Sequence, residues 1–305
     1  MTSAPLAAVT GGTGFLGRTV VARLRADGWR VRQLVRTPRA APGELVEGSL
    51  ADEDALRRLV AGADVVVHMA ALTHCRDAKG FRLVNVGGAR NLGKAIRVAA
   101  PAARVVAVSS LAAREPTLSP YAATKAAGEV ALLESARAAS SVVLRPCALY
   151  GPGDRASLPV FRAAMLPLVP VPRRPRARMA LLHVEDAGRA VVAACSPEAG
   201  TASWEVGDGA HGWSAIARAA AAALGRDPPL VAVPGAVVAA ALAVARLLAG
   251  GGSPVASPGK VAELLHGDWA CDPDRLPPPS LWRPRVGLED GFRRTAEWYR
   301  SNGWL

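Results

Sequence analysis

The 305-residue sequence has few cysteines and few aromatic residues, and each of these shortages excludes a class of protein. Its four cysteines, Cys75, Cys147, Cys195 and Cys271, are widely spaced and form no Cys-x-x-Cys pair. They indicate neither a disulfide framework nor a zinc site, so we expect a reducing compartment, the cytoplasm. The five histidines also form no metal-binding pattern, and we expect no metal.

The positive charge of the sequence lacks the pattern of a nucleic-acid surface. The net charge is +12, yet no run of five or six basic residues occurs. Aromatic residues make up 5% of the chain, too few to alternate with arginines as stacking platforms. We therefore expect no nucleic-acid partner, although a basic surface favours anionic ligands.

A continuous apolar run long enough to cross a bilayer is missing as well. The most apolar segment, residues 230–250, is interrupted by Pro234 and Gly235, whereas a transmembrane helix needs about 20 apolar residues. We predict a buried or interfacial helix there and no integral membrane span. Peripheral membrane contact stays open, and an apolar helix would suit a hydrophobic substrate.

Short apolar runs alternate with helical patterns through the first half of the chain. Such alternation predicts an α/β fold, a Rossmann-type doubly wound parallel sheet covered on both faces. The predicted strands are residues 6–10, 31–35, 65–69, 105–108 and 142–144, and the predicted helices are residues 19–27, 52–61, 85–99 and 121–138.

Prolines crowd residues 152–175 and 254–284, which indicates a change of organisation. We assign residues 1–150 to a nucleotide-binding domain, with segments near 178–195 returning to it. Residues 151–305 form mainly a smaller C-terminal substrate lobe. We predict an amphipathic helix over residues 292–305 that closes this lobe.

A glycine motif of the form G-x-x-G-x-x-G follows the first predicted strand and precedes a predicted helix. Glycine permits a tight turn and close approach of a pyrophosphate, which the helix N-terminus attracts. The flanking strand and helix make this pattern typical of a dinucleotide site. Its predicted contacts are Gly11, Thr13, Gly14, Phe15, Leu16 and Gly17.

The end of the second predicted strand indicates the type of dinucleotide. It carries Arg36, where NAD-preferring sites usually place a carboxylate for the ribose hydroxyls. Arg36, assisted by Arg39, would pair with a 2′-phosphate through bidentate hydrogen bonds. Alternatively, Arg36 is a solvated surface charge. We predict NADP in preference to NAD.

Tyr121 and Lys125 are four residues apart and would share one face of a helix. A free tyrosine has a pKa near ~10, and a nearby ammonium moves such a pKa downward by favouring the phenolate. Tyr121 would then exchange a proton with a substrate hydroxyl or carbonyl. Lys125 would also hold the nicotinamide ribose, so both residues belong to the cofactor site.

Taken together, these motifs resemble the extended short-chain dehydrogenase/reductase family, which includes NAD-dependent epimerases/dehydratases, 3β-hydroxysteroid dehydrogenases and dihydroflavonol reductases. The resemblance spans roughly residues 6–190. The matching segments are residues 10–17 (TGGTGFLG), 67–71 (VHMAA), 85–92 (NVGGARNL), 108–110 (VSS), 121–125 (YAATK), 144–154 (LRPCALYGPGD) and 183–186 (HVED).

The resemblance implies roles for several further residues. Ala70 and Ala71 would line the cofactor path, Asn85 would lie beside the active site, and Pro146 would flank the nicotinamide. Ser110 would bind the reacting oxygen as a catalytic residue. It also implies a homodimer formed through the helices near Asn85 and Tyr121.

The sequence departs from the family pattern at three positions. Leu111 stands where epimerases often carry the catalytic Ser or Thr. Ser49, followed by Leu50, stands where the family has an adenine-binding Asp. Met179 aligns with the phosphate-binding Arg of the epimerases, and the adjacent Arg178 would point to the other face of a strand. These departures argue against a nucleotide-sugar substrate.

Residues beside the matched segments are candidates for the substrate pocket; they are Thr73, His74, Ser109, Leu111, Cys147 and Arg178. We predict an NADP-dependent carbonyl reductase or alcohol dehydrogenase acting on a hydrophobic small molecule. The alternatives are a sugar or nucleotide-sugar epimerase or dehydratase that regenerates its cofactor in each cycle, and a catalytically silent cofactor-binding subunit.

Overall fold

The computed structural model describes residues 4–37, 41–75, 77–240 and 258–305. The strands, in chain order, are β1 (Leu6–Thr10), β2 (Arg30–Val35), β3 (Glu44–Glu47), β4 (Val65–His68), β5 (Arg104–Val108), β6 (Ser141–Pro146), β7 (Ala148–Tyr150), β8 (Val169–Pro172), β9 (Arg178–His183), β10 (Ala202–Val206), β11 (Asp208–His211), β12 (Leu230–Val233) and β13 (Asp268–Trp269).

Helices separate most of these strands. The α-helices are α1 (Phe15–Ala26), α2 (Glu53–Val60), α3 (Ala78–Phe81), α4 (Gly88–Ala99), α5 (Pro120–Ala136), α6 (Leu158–Ala164), α7 (Val184–Ala194), α8 (Trp213–Ala223), α9 (Pro258–Leu265) and α10 (Leu288–Ser301). A π-helical segment, Arg82–Gly87, joins α3 to α4, and residues 235–240 are also helical. Short 3-10 turns are Leu111–Arg114, Pro197–Ala199 and Pro273–Arg275.

Seven parallel strands form one sheet in the order β3-β2-β1-β4-β5-β6-β10. This is the doubly wound order, in which the strand order reverses beside β1 and creates a crevice at the carboxyl edge. β1, β4 and β5 are buried at every position, which is why they read as continuous apolar runs. The predicted Rossmann-type parallel sheet is confirmed.

The largest described core lies between this sheet and three of its helices. Leu56 of α2, Leu92 of α4 and Leu132 of α5 pack against Val66 and Val105 of the sheet, and all five are fully buried. Burial of each such side chain stabilises the fold by roughly 1.5–3 kcal/mol. This core fixes α4 and α5 beside β4 and β5.

Chain contacts divide the protein into two compact units. The first contains residues 1–146, 187–206 and 275–283, and the second contains residues 147–186, 207–274 and 284–305. The first unit therefore holds the seven-stranded sheet. The second holds a sheet in which β7, β11 and β13 all pair with β9, and a two-stranded sheet of β8 and β12.

Aromatic side chains form the interior of the second unit. Phe292 and Tyr299, both on α10, pack on Phe161 with ring centroids 5.0 and 5.3 Å away, and Phe292 also contacts Tyr150. The Tyr299 hydroxyl donates to the carbonyl of Asp154 at 2.5 Å. The helix predicted over residues 292–305 is thus present, although it begins four residues earlier, at Leu288 after Gly287.

Two predicted helices are corrected. Leu230–Val233 is a strand, because its residues pair with β8 before Pro234 interrupts the ladder. Residues 235–240 are helical, and residues 241–250 lie outside the described residues. The helix predicted from Asn85 begins with the π-helical segment, whose wider turn accompanies close packing of Gly128 on the Asn85 carbonyl. Within the described residues, no helix is both long and apolar enough to cross a membrane.

Candidate active site

The β1–α1 turn has the geometry of a phosphate-binding loop. Gly11 has a φ of +77°, and its carbonyl accepts a hydrogen bond from the Gly14 amide at 3.1 Å. A Cβ on Gly17 would lie 2.0 Å from that carbonyl oxygen, so only glycine permits this close packing. The turn thus depends on glycine for conformation at one position and for space at another.

This turn fits the pyrophosphate of a dinucleotide. Gly14 is the N-cap of α1, and no side chain caps the helix, so its first amides point towards the crevice. The first turn of α1 contains no acidic residue that would repel an anion. Thr13, Phe15 and Leu16, the other predicted contacts, belong to the same turn and helix start.

Arg36 follows β2 directly and is exposed. Because Leu34 is in register with Thr10 of β1, Arg36 lies at the same sheet edge as the glycine turn. Arg39 lies outside the described residues. Ser49 accepts a local hydrogen bond from Ala51 N at 3.2 Å through its hydroxyl oxygen, while Leu50 packs against the core.

Tyr121 and Lys125 both lie on α5, as the spacing predicted. The helix begins at Pro120, and Ser119 caps it by accepting from Ala122 N at 2.9 Å. Tyr121 is in the first turn, with its ring centroid 6.2 Å from that of Phe81. The cap therefore fixes where the helix that carries Tyr121 begins.

Lys125 is half-buried, and its ammonium donates to the carbonyl of Val108 at 3.0 Å. Burial lowers the pKa of Lys125 to about 8, although the nearby Glu129 raises it in part. Glu129 is itself held by Arg145 through two hydrogen bonds of 3.0 and 2.7 Å. The cation thus lies at the carboxyl end of β5, immediately before Ser109.

A small cavity lies next to Lys125 in the first unit. It is lined by predicted site residues and their neighbours, which include His68, Ala70, Ala71, Asn85, Ser109, Thr124 and Lys125. The structure therefore brings together the residues from the ends of β4 and β5 with those on α5. Tyr121 and Ser110 do not line this cavity.

Asn85 connects the π-helical segment to the site. Its side-chain oxygen accepts from Leu72 N at 2.7 Å, and its amide nitrogen donates to Leu72 O at 3.0 Å and to Thr124 Oγ1 at 3.2 Å. Thr124 is the residue before Lys125. Asn85 thus fixes the loop after β4 against α5, where the resemblance predicted a residue beside the active site.

Thr10 and His68 form a buried polar contact between β1 and β4 that the sequence motifs did not indicate. The Thr10 hydroxyl lies 2.7 Å from Nδ1 of His68 and accepts from Ala70 N at 3.3 Å. Burial, with a contribution from the Lys125 charge, lowers the pKa of His68 to about 3, so its ring is neutral at physiological pH. Both residues end neighbouring parallel strands, a position that signals a ligand crevice.

The two serines after β5 have different surroundings. Ser110 accepts from Ala112 N at 3.2 Å and begins a 3-10 turn. Ser109 is buried, lines the cavity, and its hydroxyl forms no hydrogen bond with the described residues. Leu111 is buried at 2% exposure. Pro146, predicted beside the nicotinamide, is the last residue of β6 and is buried.

Four other predicted pocket residues are not among those that line this cavity. Thr73 and His74 are exposed on the loop after β4. In the second unit, Arg178 is exposed and paired with Asp268. Cys147 is also in that unit and is buried.

Cys147 contacts a second thiol that the sequence spacing did not indicate. A Cβ on Gly207 would lie 2.7 Å from the sulfur of Cys271 and 3.0 Å from that of Cys147. Burial raises the pKa of the Cys147 thiol. A protonated, buried thiol is a poor nucleophile, so Cys147 acts in the structure as a small apolar side chain. Among the described residues no group of three His, Cys, Asp or Glu is arranged to hold a metal ion.

Residues 7–207 match the NAD dependent epimerase/dehydratase family, and the chain belongs to that family. It is therefore an NAD(P)-dependent oxidoreductase or epimerase, and the resemblance drawn from the sequence motifs is confirmed. Among relatives, a ceramide reductase from Caulobacter vibrioides is 43% identical over 311 residues, which cover 98% of this chain and 95% of that protein.

Other relatives are more distant. A 4-hydroxy-2-methyl-3-oxo-4-farnesyl-3,4-dihydroquinoline-1-oxide ketoreductase from Stigmatella aurantiaca is 36% identical over 176 residues, which cover 50% of this chain and 52% of that protein. A dTDP-glucose 4,6-dehydratase from Streptomyces venezuelae, solved with NAD bound, has a TM-score of 0.72 at 23% identity and covers 98% of both chains. The likeness to that solved structure concerns the fold.

Proposed function

We propose that this chain is an NADP-dependent reductase that converts the ketone of a hydrophobic small molecule, a long-chain lipid of the ceramide class, into a secondary alcohol. A bound NADPH would supply the hydride. The lipid class is supported by the relative that is 43% identical over nearly the whole chain. Reductases and ketoreductases also recur among the more distant relatives.

The position of Lys125 carries the proposal. Its ammonium binds the Val108 carbonyl at the end of β5, and Lys125 lies on the same helix as Tyr121, one turn away. The Tyr121 phenol would donate its proton to the oxygen of the reduced carbonyl. The charge of Lys125 then stabilises the phenolate that remains. In this proposal Ser109 or Ser110 would supply a hydroxyl to the reacting oxygen.

A nucleotide-sugar substrate is less well supported. Met179 is buried at 9% exposure, and the neighbouring Arg178 is already paired with Asp268. A nucleoside diphosphate would need a cation there to balance its charge. We therefore place epimerase or dehydratase chemistry second.

NADP is supported by Arg36. It is exposed, it follows β2 directly, and it occupies the position where a carboxylate would select NAD.

We also propose a homodimer, formed through the Arg82–Gly87 segment and α5, where Leu83 and Val130 are exposed. The cytoplasm is supported by four cysteines that are all free thiols.

The test is to measure binding of NADPH and NADH by fluorescence, then NADPH consumption with a keto lipid of the ceramide class in micelles. Tyr121→Phe should reduce turnover by about 10²–10⁴-fold and leave NADPH affinity nearly unchanged. Tyr150→Phe is the matched control, because its buried hydroxyl forms no hydrogen bond with the described residues. Its turnover should equal that of the unmodified protein.

Other outcomes would assign the chain differently. Tight nucleotide binding with product formation but no net NADPH consumption would favour the epimerase or dehydratase. Nucleotide binding without any product would favour a silent subunit. If neither nucleotide binds, the proposed function is wrong.

A further inference from the structure

The second unit exposes a group of large apolar side chains around the two-stranded sheet of β8 and β12. Met165, Leu166 and Leu168 lie in the loop that leads from α6 into β8, and they are 45%, 46% and 55% exposed. Val231 on β12 is 43% exposed and Val237, just after β12, is 53% exposed. Exposed apolar residues are ordinary when isolated, but a group of five calls for a partner.

The register of β8 and β12 places Val231 on the outer face of the two-stranded sheet. Val169 and Val171 point inward and pack with Ala217 in a small core. Residues between them point the other way, because side chains alternate along a strand. Pro170 and its register partner Val231 are accordingly both exposed. The outer face of this sheet thus continues the apolar surface of the preceding loop.

Arginines border the same face. Arg173, Arg174 and Arg176 follow β8 and are all exposed. The Arg173 amide donates to Val233 O at 2.7 Å, and a Cβ on Gly235 would lie 3.7 Å from an Arg174 nitrogen, so this loop borders the end of β12. Within the described residues none of the three arginines pairs with a carboxylate. Their charge is therefore available to an external partner.

We propose that this face, formed by Met165, Leu166, Leu168, Pro170, Val231 and Val237 with the three arginines, binds the surface of a membrane that contains anionic lipids. Apolar side chains beside unpaired arginines match the acyl boundary and the negative head groups respectively. Three cations without an acidic residue between them favour an anionic lipid surface over a protein partner of mixed charge. The proposal rests on this surface and not on the identity of the substrate.

The test is sedimentation of the full chain with vesicles of phosphatidylcholine, with or without about one third phosphatidylglycerol. We expect binding to the anionic vesicles that weakens as salt is raised. Changing Arg173, Arg174 and Arg176 to Gln should lower the partition coefficient about a hundredfold, since each arginine near an anionic surface contributes about fivefold. The double variant Leu166→Asp/Leu168→Asp should also lose binding.

Matched controls separate this face from general attraction to a protein of net charge +12. Changing Arg25, Arg58 and Arg97 to Gln removes the same charge from exposed sites on α1, α2 and α4, and binding should fall by less than about threefold. An equal loss in both triple variants overturns the proposal. So does a lack of binding by the unmodified protein, or binding of double-stranded DNA in place of vesicles.

Two further measurements keep the result interpretable. Thermal melting shows whether each variant is folded, and an unfolded double variant is replaced by the milder Leu168→Ser. Sedimentation velocity without vesicles detects a variant that alters self-association, in which case the face is a contact between copies and the proposal is wrong. Because no cofactor or substrate is present in these experiments, their outcome is independent of the reductase assay.

Discussion

Lys125 is a cation partly removed from water, and its charge therefore depends on pH near neutrality. Burial lowers its pKa to about 8, so the group is an ammonium below that pH and a neutral amine above it. The ammonium is the form that would favour a Tyr121 phenolate and donate charge-assisted hydrogen bonds to the nicotinamide ribose. Both effects weaken as the pH rises through the pKa of Lys125.

We expect kcat/KM for ketone reduction to be nearly independent of pH around pH 7 and to decrease above about pH 8. Well above that pH it should fall about tenfold for each further pH unit. The profile measured at limiting substrate reports the free enzyme, the state to which this pKa applies. NADPH affinity, measured by fluorescence over the same range, should weaken in parallel. A flat profile up to pH 10 would contradict the assignment of Lys125.

Arg36 determines the choice between the two nucleotides in our proposal. Arg36→Ala should raise the dissociation constant of NADPH by about 10–100-fold, since a charge-assisted hydrogen bond contributes about 1.5–3 kcal/mol, while that of NADH should change less than about threefold. Arg25→Ala, on an exposed site at the end of α1, is the control. Equal losses for NADPH and NADH in Arg36→Ala would show that Arg36 does not contact a 2′-phosphate.

At the scale of elements, the β1–α1 turn shows how a local motif acts through packing. Gly11 adopts a positive φ that other residues rarely adopt. Gly17 is required for a different reason: the start of α1 packs directly on the turn and leaves no room for a Cβ. The spacing of the glycines can be read from the sequence. The different roles of Gly11 and Gly17 depend on the backbone atoms that each glycine contacts in the folded turn.

Gly17→Ala should lower the free energy of unfolding by about 3 kcal/mol, because its Cβ would lie 2.0 Å from the Gly11 carbonyl oxygen and force the turn apart. NADPH affinity should fall with it. Gly267→Ala is the matched control, since a Cβ there has no neighbour within 4 Å and its φ is not positive, and it should change stability by less than about 0.5 kcal/mol. Urea denaturation of both variants gives the comparison, and equal midpoints would refute the argument.

At the scale of the whole molecule, the proposed homodimer can be tested through exposed apolar residues. Leu83 and Val130 are 70% and 53% exposed on elements of the first unit. If these surfaces meet across a two-fold axis, the dimer buries Leu83 and Val130 of both subunits, so each substitution acts at two places in the interface. The double variant Leu83→Asp/Val130→Asp should therefore sediment as a monomer.

Leu276→Asp serves as the control, because Leu276 is exposed in the same unit but outside the helices of the proposed interface. It should leave the sedimentation coefficient unchanged. A monomeric unmodified protein, or a double variant that stays dimeric, would exclude this interface.

The sequence by itself determined the strands of the sheet, the glycine turn and the Tyr121–Lys125 pair, because each is marked by residues near one another in the chain. Buried strands read as apolar runs, and a shared helix face follows from a spacing of four. Only the tertiary structure decided which distant residues meet. The contact of Thr10 with His68, the anchoring of Asn85 on Leu72 and Thr124, and the adjacent thiols of Cys147 and Cys271 join positions far apart in the chain. The same holds for the strand at Leu230–Val233, whose apolar residues are compatible with helix or strand until β8 provides a partner.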